Sequence, residues 1–239
     1  MAAGYYGIFE ALPEFLKRRI HPLEFAIRDF VRSAAREAPG VVIDAGAGES
    51  RFRDFFTRSR YVGIDRGIGD AGWDYGALDV IADLAWMPVR SGSADLVLNT
   101  QVLEHVPDPR KSIEEMARML KPGGRLFLTA PQGWPEHQQP HDFFRFTRFS
   151  LEGLLRDTGF SRWAIDPMGG YFHYLGHRLS YIPKTVFFER RGLWRVLLFP
   201  AELLSMGTFC FLTPLVCYYL DRMDAKREFT LGYRVRAVK

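Results

Sequence analysis

The sequence predicts a doubly wound α/β fold with a parallel sheet. Three observations carry that expectation. Val41, Val42 and Ile43 form an apolar run that Asp44 ends, and Gly46 and Gly48 follow at a spacing of two before a helical pattern begins at Arg51. A strand, a glycine turn and a helix start are the parts from which nucleotide sites are built. Short apolar runs then alternate with helical patterns as far as Ile165, the rhythm of crossover units. Finally, Asp44, Asp65 and Asp83 stand at or just after the ends of successive predicted strands, the edge where such sheets bind ligands.

The elements follow in order. Residues 5–38 are aromatic and basic and then helical: Pro22 suits a helix start, and Leu23, Ala26, Ile27, Phe30, Val31 and Ala34 recur on one face. Pro39-Gly40 stops that helix. Val41–Ala45 is strand one, Phe52–Thr57 belongs to the next helix, Tyr61–Asp65 is strand two, and Asp79–Ile81 is a short third strand. Asp95–Asn99 is the fourth. Ile113–Leu120 is a helix that ends in the turn Lys121–Gly124, and Arg125–Ala130 is strand five. Ser150 is the predicted N-cap of a helix carrying Leu151, Leu154 and Leu155, which Gly159 closes. Trp163–Ile165 is strand six, and Phe229–Val238 alternates like a last strand.

At 239 residues the chain has the length of one large domain with an insertion. The reading is a single domain: N-terminal covering helices over 1–38, a ligand-binding core over 40–170, a helical insertion or lid over 171–228, and the last strand over 229–239. A net charge of +4 without a long basic run excludes a nucleic-acid tail. Cys210 and Cys217 lie in an apolar stretch and read as small buried hydrophobes, not as a disulfide framework. The N-terminus lacks a basic segment followed by an apolar core, so no signal peptide is expected and the expected location is the cytoplasm. The uncharged run Leu203–Leu220 approaches the length of a short membrane span. A single span would separate the last strand from its sheet, so a buried insertion or a homodimer face is the leading expectation. Peripheral contact with the inner membrane through 190–220 is the alternative, suggested by Arg190, Arg191, Trp194, Tyr218 and Tyr219.

The ligand follows from the acidic residues. The dinucleotide fingerprint needs a glycine where Arg51 stands, and Asp44 directly ahead of the turn is foreign to it. An acidic residue there suits a cationic ligand. Asp65 suits both hydroxyls of a ribose, and Asp83-Leu84 an adenine edge. Five stretches, VVIDAGAGES (41–50), YVGID (61–65), ADLAWMPV (82–89), ADLVLNTQVLEHVPDP (94–109) and MLKPGGRLFLTAP (119–131), together resemble class I S-adenosylmethionine-dependent methyltransferases of the type 11 group. The resemblance covers roughly residues 40–165. It implies a Rossmann-like seven-stranded sheet whose last strand is antiparallel. It also implies that Asp44, Ala45, Gly46 and Gly48 shape the methionine side of the S-adenosylmethionine site, that Asp65 with Arg66 lies at the ribose, and that Asp83 with Leu84 lies at the adenine. Asn99, Thr100 and Gln101 would line the floor. Ser50 departs from the family's third glycine.

WPEHQQPHDFFRFT (134–147) resembles a stretch in a bacterial subgroup from surface-polysaccharide gene clusters. That association gives context and names no substrate; the expected acceptor is a small molecule, a saccharide or a lipid-linked molecule. Candidate catalytic residues are His105, His137, His141, Asp142 and Arg145. A histidine beside a carboxylate is held in one tautomer and made more basic, and Arg145 suits a substrate phosphate or carboxylate. No metal site is expected, because no compact ligand motif stands in the sequence. A cofactor-binding scaffold without turnover and a nicotinamide-dependent oxidoreductase are the competing readings.

Overall fold

The computed structural model describes residues 9–38, 40–69, 72–187 and 193–239. The apolar runs form β1 (Gly40–Ala45), β2 (Ser59–Asp65), β3 (Val80–Ile81), β4 (Ala94–Thr100), β5 (Leu120–Pro131), β6 (Arg162–Pro167) and β7 (Gly232–Val238). They assemble in the order β3-β2-β1-β4-β5-β7-β6. The pairings through β5 are parallel, and β7 runs antiparallel to both β5 and β6. β1 is central, with Ile43 paired to Val62 on one side and Val97 on the other. Val42, Ile43 and Ala45 are buried, as expected for a strand covered on both faces. The helices are α1 (Glu14–Ile20), α2 (Pro22–Arg36), α3 (Pro109–Met119), α4 (Arg148–Asp157), α5 (Tyr171–Leu179), α6 (Ile182–Phe187), α7 (Leu193–Leu197), α8 (Phe199–Met206) and α9 (Thr213–Leu220). Pro39, expected to stop α2, and Arg190 and Arg191, expected to flank the apolar run, lie outside the described residues.

The chain forms two compact units. One comprises Ile27–Pro167 with Gly232–Lys239, and the other comprises Met168–Leu231 with the described part of Met1–Ala26. The first is the sheet with α3, α4 and most of α2. Its core joins Ile43, Ile64 and Val97 from the strands to Ile113, Met116 and Leu151 from the helices. On α2, Phe30 packs on Phe127 of β5 with ring centroids 5.1 Å apart.

Three local expectations are corrected in this unit. The helix expected over Phe52–Thr57 is a single 3₁₀ turn, Arg53–Phe56, because β2 begins at Ser59 and leaves no room for a longer crossover. Lys121–Gly124 is not a free turn after a helix. β5 already starts at Leu120, and its register against β4 jumps from Ala94–Leu120 to Leu96–Arg125, with Gly123 at φ +77° taking up the extra residues. The cap of α4 is Thr147, not Ser150: the Thr147 hydroxyl accepts from the Ser150 amide, and the Ser150 hydroxyl closes a capping box on the Thr147 amide.

The second unit is all helical. The N-terminus of α5 has no cap of its own, and two distant carboxylates supply it. Asp221 accepts from the amides of Gly170 and His173 and pairs with His173 Nδ1 at 2.9 Å, and Asp224 accepts from the amide of Tyr171. Gly176 of α5 faces α9 so closely that a Cβ would sit 3.0 Å from Cys217 Cβ. Both cysteines are buried and free. Burial of the apolar run inside the chain, one expectation for it, does not occur. The helical stretch Phe199–Met223 spans 25 residues, has a mean hydropathy of 1.6, and has 17% of its apolar window buried. Phe199, Leu203, Leu204, Leu212 and Val216 are exposed. The stretch packs one stripe, through Cys210, Pro214 and Cys217, and leaves the rest outside, whereas a helix apolar all round is ordinarily buried in a core or a membrane.

Candidate active site

The turn after β1 is drawn tight over the end of β2. The amides of Gly46 and Ala47 both donate to the Ile64 carbonyl, at 2.7 and 3.0 Å. Gly46 has φ +89°, and a Cβ on it would lie 2.5 Å from the methyls of Val102, so this position takes glycine alone. Ser50, where the family has its third glycine, sits at φ +56°. The position needs a left-handed backbone, which serine adopts at a cost.

Asp65 ends β2 and accepts from two amides, Gly48 onto Oδ2 and Gly67 onto Oδ1, each at 2.9 Å. Each carboxylate oxygen retains a lone pair for a further donor. Asp44 lies beneath the turn, 1% exposed. Its Oδ2 accepts from Tyr61 Oη at 2.6 Å, while Oδ1 has no partner among the described residues. Burial pushes its carboxyl up to about 7 against the opposing pull of the Tyr61 hydrogen bond. The Asn99 side chain donates to the Ala45 carbonyl at 2.6 Å and is fully buried. Gln101, at φ +54°, donates through Nε2 to Thr129 Oγ1, and Thr100 ends β4 half-buried. Arg66 reaches Asp83 at 3.5 Å, and Leu84 is buried. Sequence reasoning missed Tyr61, Val102 and Trp73, whose ring edge lies 3.1 Å from where a Cβ on Gly48 would sit. Tyr61 and Val102 lie inside the quoted stretches 61–65 and 94–109 and Trp73 outside them, but nothing in the sequence gives these three a role at the turn, because they meet it through tertiary packing.

The residues fit S-adenosylmethionine. A buried, half-partnered carboxylate under the turn suits a positive ligand, a turn without Cβ atoms admits close approach, and a carboxylate with free lone pairs at the end of β2 suits a ribose diol.

The second cluster lies on the loop 134–146, after β5, with the short 3₁₀ turn Leu103–His105 that follows β4. The loop is tied to that turn by the amides of Phe143 and Phe144, which donate to the Glu104 carbonyl at 2.8 and 3.3 Å. His105 Nδ1 lies 2.5 Å from the His141 carbonyl, and His105 Nε2 lies 3.1 Å from His137 Nε2. All five candidates are joined through side chains or by the backbone, but their roles differ from those expected. Asp142 does not orient its neighbour His141. Its carboxylate takes both Arg145 terminal nitrogens at 2.7 Å and the His137 amide at 2.9 Å. Burial alone would raise the Asp142 carboxyl, but these partners hold it at about 2.

Arg145 is corrected as an anion binder. Its five N–H donors go to Asp142 Oδ1 and Oδ2 and to the carbonyls of Trp134, Pro135 and Phe144, and a guanidinium has five. It is the staple of the loop. His141 contributes its carbonyl and stacks near Phe143. The residue sequence reasoning passed over is Glu104. It is fully buried, and neither carboxylate oxygen has a hydrogen-bond partner among the described residues. Burial pushes its carboxyl up to about 8, and burial likewise lowers His105.

Comparisons with known proteins bear on the family and the fold. A family model described as a methyltransferase domain matches residues 15–165. A "Probable S-adenosylmethionine-dependent methyltransferase" of Mycolicibacterium smegmatis is 28% identical over 159 residues, 62% of this chain and 61% of that protein. An uncharacterised methyltransferase of Mycobacterium sp. strain KMS is 35% identical over 112 residues, 43% of this chain and 44% of that one. The matches thus span 44% to 61% of these relatives' lengths. Among solved structures, the cyclase SpnF aligns with a TM-score of 0.53 at 17% identity over 90% of this chain and 80% of its own. A S-adenosylmethionine-dependent methyltransferase of Archaeoglobus fulgidus aligns with a TM-score of 0.50 at 14% identity, covering 89% of this chain and 94% of its own. These two likenesses speak for the fold alone, and a cyclase among them shows that the fold does not assign a reaction. With a family model matching residues 15–165 of 239 and the sheet in the order described, the chain belongs to the methyltransferase-domain family, of the class I S-adenosylmethionine-dependent fold.

Proposed function

We propose that the chain moves a methyl group from S-adenosylmethionine to a nucleophilic atom of a small-molecule, saccharide or lipid-linked acceptor. The observation that carries this reading is the Asp65 carboxylate at the end of β2, held by the Gly48 and Gly67 amides with lone pairs to spare. Asp65 binds the ribose hydroxyls, Asp44 favours the positive charge, and Asn99, Thr100 and Gln101 form the floor. When bound, the cofactor supplies a methyl group whose bond to sulfur breaks as the acceptor's lone pair forms the new one, the bonding pair staying with sulfur. The chain's part is to align that displacement and exclude water. The Nε2 atoms of His105, on the 3₁₀ turn after β4, and of His137, on the loop that Arg145 staples, are the groups that meet the acceptor and its departing proton.

The test is incubation with methyl-labelled S-adenosylmethionine and fractionated envelope glycans and lipids. Label is expected in one fraction and is lost in Asp65→Ala. Calorimetry with S-adenosylmethionine and its demethylated product gives the binding arm, and a wild-type chain that takes up neither molecule overturns the reading. Cofactor uptake with no labelled product in any fraction leaves the scaffold reading in its place.

For the helical unit we propose peripheral contact with the cytoplasmic face of a membrane, on the strength of its exposed Phe199, Leu203, Leu204 and Leu212. Flotation with anionic liposomes checks this. A chain that stays unbound at every lipid composition and sediments as a dimer assigns the same face to a second copy.

A further inference from the structure

We propose that Glu104, His105 and His137 form a binding site for a divalent first-row transition-metal cation, of the zinc, cobalt or manganese class. Their donor atoms all lie within 4.8 Å of one another. Three independent features of the geometry point to a cation.

The first is the direction of the ring protons. His105 Nδ1 lies 2.5 Å from the His141 carbonyl, and His137 Nδ1 lies 3.2 Å from the Pro135 carbonyl and 3.3 Å from Asp142 Oδ2. A carbonyl or an ionised carboxylate only accepts, so in both rings the proton belongs on Nδ1. Both Nε2 atoms then carry lone pairs, and they face each other at 3.1 Å. Two lone pairs at that distance repel unless a cation lies between them. The Nδ1 contacts are themselves the supporting hydrogen bonds that metal-bound histidines make.

The second is distance. With metal–nitrogen bonds of about 2.0–2.1 Å, two imidazole nitrogens stand about 3 Å apart at a right angle and about 3.4 Å apart at a tetrahedral one. The observed 3.1 Å lies between those values. Glu104 Oε1 is 3.8 Å from His105 Nε2, and the three donors lie within 4.8 Å of one another, so a closing movement of up to roughly 1.5 Å completes the set.

The third is Glu104 itself. Its side chain is 0% exposed, and neither oxygen has a hydrogen-bond partner among the described residues. A buried carboxylate without a partner costs several kcal/mol, and a bound cation offsets that cost. The residue is not placed by chance, because the loop is fastened to its carbonyl by the Phe143 and Phe144 amides, which fixes His137 over it.

Two imidazoles and one carboxylate suit zinc, cobalt, manganese or iron better than magnesium or calcium, which take oxygen ligands. Three protein ligands leave coordination positions open, the pattern of catalytic sites and not of structural ones. An acceptor hydroxyl bound there is held in place and gives up its proton more readily, to water; in the metal-loaded chain the two Nε2 atoms are ligands, and the proton-accepting role proposed for them belongs to the metal-free chain. That use of the metal rests on the methyl-transfer reading, whereas the binding of the metal does not. His105, with Glu104 next to it, stands 32 residues before His137, and the pair forms no ligand motif with it, which is why the sequence announces no metal.

The test uses the full chain stripped with EDTA and titrated with cobalt(II) chloride. Ligand-field absorption and zinc uptake by elemental analysis are the readouts, with no cofactor present. One equivalent per chain is expected, with affinity at least about 100-fold weaker in Glu104→Gln and His137→Ala. Glu104 is buried, so its variant risks misfolding. His137, with 28% of its side chain exposed, is the safer substitution, and an unchanged thermal melt certifies it. The proposal is overturned if the wild-type chain takes up no cobalt at millimolar concentration, or if His137→Ala binds as the wild type does. In the first case, a downfield imidazole proton shared by the two rings in the NMR spectrum would identify what holds them together. Calorimetry of S-adenosylmethionine on the metal-free chain is read separately, so failure of the metal site and failure of the methyl-transfer reading are distinguishable.

Discussion

The glycine turn after β1 and the loop 134–146 lie beyond the same end of the sheet and are built in opposite ways. The turn is a backbone object. Its amides go to the Ile64 carbonyl and the Asp65 carboxylate, and its shape depends on what Gly46 lacks. The loop is a side-chain object. One arginine satisfies three carbonyls and one carboxylate, and a buried aspartate holds that arginine in return. The turn leaves a buried acid, Asp44, half-partnered, whereas the loop satisfies Asp142 fully and leaves Glu104 bare. Each region therefore keeps one acid in reserve, and in both cases the under-partnered carboxyl lies where a positive ligand is proposed to bind.

The difference is broken most sharply at Arg145. Arg145→Ala strands the Asp142 carboxylate, whose side chain is 4% exposed, and removing one partner of a buried pair costs about 3 kcal/mol or more. Denaturant unfolding should show that loss, and Arg145→Lys should recover little of it, because an ammonium has three donors and no planar fork. An unchanged midpoint would mean that the loop is not held as described.

The matching change in the turn is Gly46→Ala. A left-handed backbone costs a non-glycine residue about 1–2 kcal/mol, and contact at 2.5 Å with Val102 adds about 1–3 kcal/mol of overpacking. Thermal unfolding should register roughly 2–4 kcal/mol, and calorimetry should show S-adenosylmethionine binding lost. Val102→Ala in the Gly46→Ala background should return part of the packing share, since the Val102 Cβ that remains is itself 2.9 Å away, and should leave the backbone share untouched. If the double variant is no better than the single one, the close approach of Val102 is not what reserves the position for glycine.

These two regions also mark what was legible in the sequence. The turn could be read because glycine spacing and strand ends are local properties, so Gly46, Gly48, Asp65 and Asp83 stand out before any fold is known. The parallel order of the sheet follows from alternation in the same way. The loop could be read as a set of candidates but not as an arrangement. Nothing in HDFFR says that Asp142 turns to Arg145 and His137 and away from His141, because that choice depends on five hydrogen bonds made after the loop folds back. Glu104 was invisible for the same reason. A lone glutamate reads as solvated even among Val102, Leu103 and Val106, and its burial is set by β4, the 3₁₀ turn and the loop together. The apolar run 203–220 was visible as apolar, but exposure is a tertiary property, and the expectation that the chain would bury it failed.

A smaller effect tests the reserve in the turn. The Asp44 carboxyl sits at about 7 in the folded chain because burial penalises its charge, and near 4 when unfolded. Between those values the folded state keeps a proton that the unfolded chain has released, so stability falls as pH rises from about 4 to about 7 and is level above. Asp44→Asn removes this dependence while keeping an acceptor for Tyr61. Unfolding at pH 5 and pH 8 should show the variant gaining on the wild type by roughly 1–3 kcal/mol at the higher pH, at the expense of S-adenosylmethionine affinity. Identical pH profiles would remove the case that Asp44 is a strained acid held for a cationic ligand.

The smallest effect lies where the loop ends. Thr147 caps α4 and is the residue on which the loop 134–146 hands over to the helix. The Thr147 hydroxyl serves the Ser150 amide, and the Ser150 hydroxyl serves the Thr147 amide, so the two side chains are reciprocal but not equal. Loss of an N-cap oxygen costs about 1 kcal/mol, whereas Ser150 occupies a helical position where alanine is the better helix former by a few tenths of a kcal/mol. Thr147→Ala should therefore destabilise more than Ser150→Ala, and the double variant should fall short of the sum because each substitution already opens the same box. The reverse ranking would restore Ser150 as the start of the helix and would lengthen the loop by three residues. The staple at Arg145 would then have to hold a segment with no fixed end, and the small midpoint shift predicted here would become the first sign that the loop is looser than its hydrogen bonds suggest.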